Sequence, residues 1–113
     1  MSLKNEILTL TGLKHEIIDV EGKKLLIQEM TGTERDKISR ESQDGKGDLD
    51  NDKFANNMVA NCVRDPETKK RVFKPDDVIA LKKLGWHISQ QIDEAVVRIN
   101  GLDEGELRAA EKN

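Results

Sequence analysis

A chain of 113 residues, 35% hydrophobic and 36% charged, can enclose one small core inside a heavily charged shell. Nineteen Lys and Arg against 22 Asp and Glu leave a formal net charge of −3, which argues against unspecific phosphate binding as the main task, because that needs surplus positive charge. The lone Cys62 cannot form an internal disulfide, no apolar run approaches the roughly 18 residues of a membrane span, and the first residues lack the basic start and long apolar block of a secretion signal, so a reduced, cytoplasmic, soluble protein is expected.

In chain order, Leu3, Ile7, Leu8 and Leu10 fit either a short helix or a strand ending at Thr11-Gly12. Glu16 to Val20 and Leu25 to Ile27 flank the turn signal Glu21-Gly22, which predicts a β-hairpin. Thr31-Gly-Thr-Glu34 has the spacing of a capping box, opening a helix to about Glu41 that offers only Ile38 to a core. Ser42 to Asp52 holds two glycines and one apolar side chain, so it is expected to be a flexible loop.

From Phe54 to Val63 a helical step gathers Phe54, Ala55, Met58, Val59 and Cys62 on one arc, leaving Asn56, Asn57, Asn61 and Arg64 opposite. Asp65-Pro66 then initiates a turn over Arg64 to Arg71, and Val72-Phe73 fits a very short strand. Pro75 suits a first helical position, with Asp76 and Asp77 where the helix dipole favours negative charge, and this helix is expected over 75–83. Leu84-Gly85 breaks the pattern. A last helix over 86–99 presents Ile88, Ile92, Ala95, Val96 and Ile99 on one stripe, and Gly101 stops it. The expected fold class is α+β, a predominantly α-helical single domain over residues 1–102 with a short N-terminal β-hairpin, followed by a disordered tail over 103–113.

Groups able to make or break bonds are scarce. Asp48, Asp50 and Asp52 alternate like the first ligands of a calcium loop, but Lys53 stands where the sharp turn needs glycine and Val59 where the bidentate glutamate belongs, so a solvated loop is the reading. Cys62 on an apolar face reads as an inert small hydrophobe, and His15 and His87 lack partners at ligand spacing. Neither a phosphate-binding glycine loop nor a nucleophile elbow is present. The expectation is a protein without catalytic residues, cofactor or metal.

Two surfaces invite a partner instead. The turn over 64–74 carries Arg64, Lys69, Lys70, Arg71 and Lys74 against Asp65 and Glu67, which is a solvated hairpin tip by default and a polar rim for an acidic partner otherwise. Trp86 and Val97 fall within about 20° of each other on the helical wheel, beside Gln90 and away from the Ile88/Ile92/Ile99 stripe. Ile79 likewise falls between Lys82 and Lys83. Trp86 either folds back onto Leu81 or Leu84 or anchors a docking patch with Ile79 and Val97. Helices over 75–83 and 86–99 also imitate a helix-turn-helix, making a small DNA-binding regulator the alternative function, although Asp93 and Glu94 would repel phosphates.

Ile27-Gln28-Glu29-Met30-Thr31-Gly32-Thr33-Glu34-Arg35, then Val63-Arg64-Asp65, then Val72-Phe73-Lys74-Pro75-Asp76-Asp77-Val78 with Leu81, resemble the strand, capped helix, turn and acidic helix start of the tail assembly chaperones of long-tailed bacteriophages. The resemblance covers roughly residues 20 to 102 and rests on hydrophobic and charge patterns. The chain departs from it in the turn, where Pro66-Glu67-Thr68-Lys69-Lys70-Arg71 stands and a glycine is typical. It implies a phage or prophage protein without enzymatic activity that binds the tape-measure protein, with the tail-tube protein as a second candidate partner, and assists tube polymerisation. Such a protein works in the host bacterial cytoplasm, is absent from the mature virion, and binds neither nucleic acid nor membrane. The residues expected to contact the client are Ile79, Trp86, Gln90 and Val97, with Lys69, Lys70 and Arg71 as the rim.

Overall fold

The computed structural model describes residues 2–10 and 12–102. The tail expected over 103–113 lies outside them. Glu21 and Gly22 both adopt positive φ, 52° and 81°, which is the pair of left-handed positions a two-residue hairpin turn requires. The Asp19 carboxylate accepts the Gly22 amide at 2.8 Å and braces that turn. Strand β1 (His15–Val20) is thereby set against β2 (Lys23–Gln28) with Ile17 opposite Leu26 and Ile18 opposite Leu25. Ahead of the hairpin, α1 (Leu3–Leu8) resolves the ambiguity at the N-terminus as a helix, and it buries none of its side chains.

Helix α2 (Gly32–Glu41) begins at the anticipated capping box, with Thr31 Oγ1 accepting the Glu34 amide at 3.0 Å and Glu34 accepting the Thr31 amide at 2.9 Å. Ile38 is its one buried residue. The 42–52 segment, expected as a flexible loop, is bridged by local hydrogen bonds up to the start of the next helix. Asp44 accepts the amides of Lys46 and Asp48, Gln43 bridges to Leu49, and the Asp50 amide returns to the Ser42 carbonyl at 2.8 Å. Local hydrogen bonds hold the loop closed where apolar burial could not. Asp50 then caps α3 (Asn51–Cys62), accepting the Lys53 amide, so the helix starts a turn earlier than its apolar residues indicate.

After α3 the chain forms β3 (Val63–Arg64), a strand the sequence reading had merged into the helix and its turn. Val63 lies opposite Ile27, and the sheet is three-stranded and antiparallel in the order β1-β2-β3. The turn closes with the Arg64–Arg71 bridge and Asp65 accepting the amides of Glu67 and Thr68. Helix α4 (Pro75–Leu81) has Pro75 at its start and Asp77 accepting the Lys74 amide, and α5 (Trp86–Ile99) follows Gly85.

One sheet face carries Ile18, Val20, Leu25, Ile27 and Val63; α5 covers it over β1 and β2 and α3 over β2 and β3. Ile27, Met58, Cys62, Val63, Ile92 and Val96 are its fully enclosed centre. Helices α2 and α4 pack on α3 from the other side, so α3 is enclosed nearly all round. Asn56 and Asn61, opposite the apolar arc, are buried as well. The molecule is a small α+β fold in which α3 is the central element.

Candidate protein-docking surface

The anchors expected for a client separate once the helices are placed. Trp86 is 75% exposed, so it does not fold back onto Leu81 or Leu84, whereas Val97 is only 6% exposed and belongs to the core. Both share one angular position on α5, but at 1.5 Å per residue they lie about 16 Å apart along its axis. The start of α3 reaches the Val97 end, where Asp52, Ala55, Met58 and Val59 line a small cleft with it, and the chain beyond α5 bonds back through the Leu102 amide to the Val97 carbonyl. Among the described residues nothing comparable covers the first turn. Val97 is therefore removed from the client surface.

What is left on the outside is the α4–α5 corner. Ile79 is 49% and Leu84 52% exposed, and with Trp86 they place three large apolar side chains within one short stretch of chain, flanked by the exposed Lys82 and Lys83. Large apolar groups left in water between cations are the usual make-up of a docking site, with an aromatic anchor at its centre. Leu84, read in the sequence as part of the helix break and as a possible cover for Trp86, is itself exposed and joins the surface. Gly85 shapes the corner: a Cβ there would come within 2.8 Å of the His87 ring, whose Nε2 lies 2.8 Å from Glu21 Oε1 on the hairpin turn. Gln90 is half-buried and donates to Glu94 at 3.0 Å, one turn in from Trp86.

The basic turn divides as well. Lys69 and Lys70 are exposed at its tip, with Lys69 in the left-handed region at φ 61°. Arg64 and Arg71 point back instead, each with a guanidinium nitrogen 3.4 Å from Glu34 Oε2, and Arg71 also donates to Asn61 Oδ1. Burial alone would raise the Glu34 carboxyl; hydrogen bonds from Thr31 and the charge of Arg64 outweigh it and hold the group below its usual range. Glu34 is thus at once the helix cap and the counter-ion of the turn, a double role that capping-box spacing alone does not disclose. Beside it, a groove of about 440 Å³ is lined by Ile38, Ala60, Val72, Phe73 and Pro75 together with Lys37, Arg71, Lys74 and Asp77. The groove meets α4 at its first turn, where Asp77 precedes Ile79 by two residues, about 3 Å of helix rise.

The groups examined for chemistry are otherwise engaged. Cys62 is fully enclosed; burial pushes its thiol up, and Glu34 adds to this, against a hydrogen bond from Asn100. Asn100 was not singled out by the sequence: it accepts the Met30 amide at 2.8 Å and donates to Cys62 Sγ at 3.5 Å and to the Val96 carbonyl at 2.8 Å, joining the ends of β2, α3 and α5. His15 Nδ1 lies 3.2 Å from the Leu13 carbonyl. Among the described residues no group of three or more His, Cys, Asp or Glu side chains is placed to hold a metal ion, and no helix is long and apolar enough to cross a membrane. Comparison with protein-family models, with curated proteins and with solved structures finds no match.

Proposed function

We propose that this chain is a tail assembly chaperone of a long-tailed phage or prophage, a non-enzymatic protein that holds the tape-measure protein in the host cytoplasm while tail-tube subunits polymerise around it. The observation that carries the reading is the α4–α5 corner, where Ile79, Leu84 and Trp86 stay in water although the fold has a closed core of its own. A holding chaperone needs such apolar groups to engage an exposed client helix, and a charged shell to keep the complex dispersed. The sequence resemblance over residues 20 to 102 supplies the client's identity. Its segments fall on β2 running into the capped α2, on β3 with its turn, and on the proline start of α4. Lys69 and Lys70 suit the rim of the contact, where charge steers the approach more than it adds affinity.

Co-purification with the tape-measure protein encoded by the same genome tests the reading. Wild type is expected to retain the client, and Trp86→Ser combined with Ile79→Ser to weaken binding by roughly thirtyfold, the loss typical of removing a central anchor. Failure of wild type to retain a dispersed client, or retention untouched by the double substitution, would contradict it.

A further inference from the structure

Strand β1 is an outer strand, and on its far side no strand is bonded among the described residues. The backbone groups on that edge follow from the ladder. The Glu29 amide donates to the Lys14 carbonyl at 2.9 Å. Alternation along an antiparallel pair then turns the groups of Lys14, Glu16, Ile18 and Val20 toward β2 and those of His15, Ile17 and Asp19 outward. The Gln91 side chain agrees with this parity, since it donates from α5 to the Asp19 carbonyl at 2.6 Å. The side chains of His15, Ile17 and Asp19 stand on the sheet face opposite the core. There Ile17 is 58% exposed, directly across from Leu26.

We propose that β1 pairs antiparallel with β1 of a second copy of this chain, about a two-fold axis at Ile17, to give one continuous six-stranded sheet. Pairing across these edges must set outward residues opposite outward residues, so the axis can pass through His15, Ile17 or Asp19, or through the inward Glu16 or Ile18 between them. Centring on Glu16 sets two carboxylates together, and centring on Ile18 sets each Asp19 against the apolar Ile17. Centring on Asp19 sets two carboxylates face to face, and centring on His15 sets two imidazoles together. Centring on Ile17 places His15 opposite Asp19 of the second copy, twice by symmetry, and like charges meet nowhere on that face. It also extends the Leu26–Ile17 pair into a four-residue apolar stripe across both sheets. The Ile17 pair exchanges two backbone hydrogen bonds and each His15–Asp19 pair two more, the Asp19 carbonyl using the lone pair that Gln91 leaves. Arg98, bonded to Glu16 at 2.7 Å, and Gln91 are the α5 side chains beside this edge, and both are polar and exposed. An edge of six residues buries less than the roughly 1,200 Å² of a stable interface, so the dimer is weak, with Kd on the order of 10 μM.

Sedimentation velocity on the full chain over a concentration series, paired with oxidative cross-linking, tests this. Wild type is expected to dimerise. Ile17→Lys, which sets two ammonium groups on the axis, and His15→Asp, which faces a carboxylate with Asp19, each weaken the dimer at least about tenfold. Both positions are exposed, so thermal unfolding is unchanged and loss of dimer is not loss of fold. In the bonded pair the two Ile17 Cα atoms would stand about 5.5 Å apart, within disulfide reach, so Ile17→Cys cross-links and Ile79→Cys on the α4–α5 corner does not. A wild type still monomeric at about 200 μM, twenty times the expected Kd, overturns the proposal. So does a dimer indifferent to Ile17→Lys, or an Ile79→Cys chain that cross-links as readily as Ile17→Cys.

Discussion

Glu34 carries more of the fold than its place near the surface indicates, because one carboxylate caps α2 and also neutralises Arg64 and Arg71 of the β3 turn. Glu34→Gln keeps the reach of the capping side chain and removes the charge, so it isolates the second role. At neutral pH it is expected to cost about 1–2 kcal/mol in urea unfolding. The Glu34 carboxyl is held below its ordinary value in the folded state, so on acidification the unfolded chain takes up its proton first. The stabilisation is therefore fully present above the ordinary carboxylate range and lost as pH falls through it. The gap between wild type and Glu34→Gln should shrink between about pH 7 and about pH 3, and a constant gap would contradict the ion pairing. Val97 and Trp86 give a second contrast. Val97→Ala should destabilise by about 1–3 kcal/mol and Trp86→Ser by less than about 0.5 kcal/mol, checked by the same unfolding curves. The sequence put the two in one patch because a helical wheel records angle and discards position along the axis. What lay beyond its reach was that α3 extends over one end of α5 and not the other.

At the level of elements, capping chemistry and turn dipeptides are local, and they were legible: Thr31 with Glu34, Pro75 with Asp77, and Glu21-Gly22 all act where the sequence placed them. The third strand was not legible. Val63 continues the helical pattern of α3 and Arg64 reads as the start of the turn, and only pairing with Ile27 and Leu26, far back in the chain, makes them a strand. For the same reason the burial of the α3 asparagines was not legible. Asn57 donates to Ser42 Oγ at 2.9 Å and Asn61 meets Arg71, partners brought by α2 and by the turn. The turn itself contains a strained position, Lys69 at φ 61°, where a side chain is disfavoured and a glycine is not. Its backbone bonds, from the Lys69 amide to Asp65 and from Arg64 to the Lys69 carbonyl, survive substitution. Lys69→Gly is accordingly expected to stabilise the protein by a few tenths to about 1 kcal/mol, seen as a higher urea midpoint, and a lower midpoint would contradict the strain.

Over the whole molecule, the chain divides its apolar residues between a closed core around α3 and a set left in water on α1, on the β1 edge and at the α4–α5 corner. The core was readable from periodicity. The exterior was readable only in part, since Ile79 was set off the core side of its helix, Trp86 was open between burial and exposure, and Leu84 was read as a helix break and a possible cover for Trp86. The proposed function as a client-holding protein rests on that exterior. Trp86 is the chain's one tryptophan, so its fluorescence reports on the corner without a label. Titrating the tape-measure protein, with its own tryptophans replaced, into the chain is the most direct measurement. The account predicts that the free protein emits at long wavelength and is readily quenched by acrylamide, and that binding shifts the emission to the blue and protects it. An emission unchanged at saturating client would contradict the claim that this corner receives it.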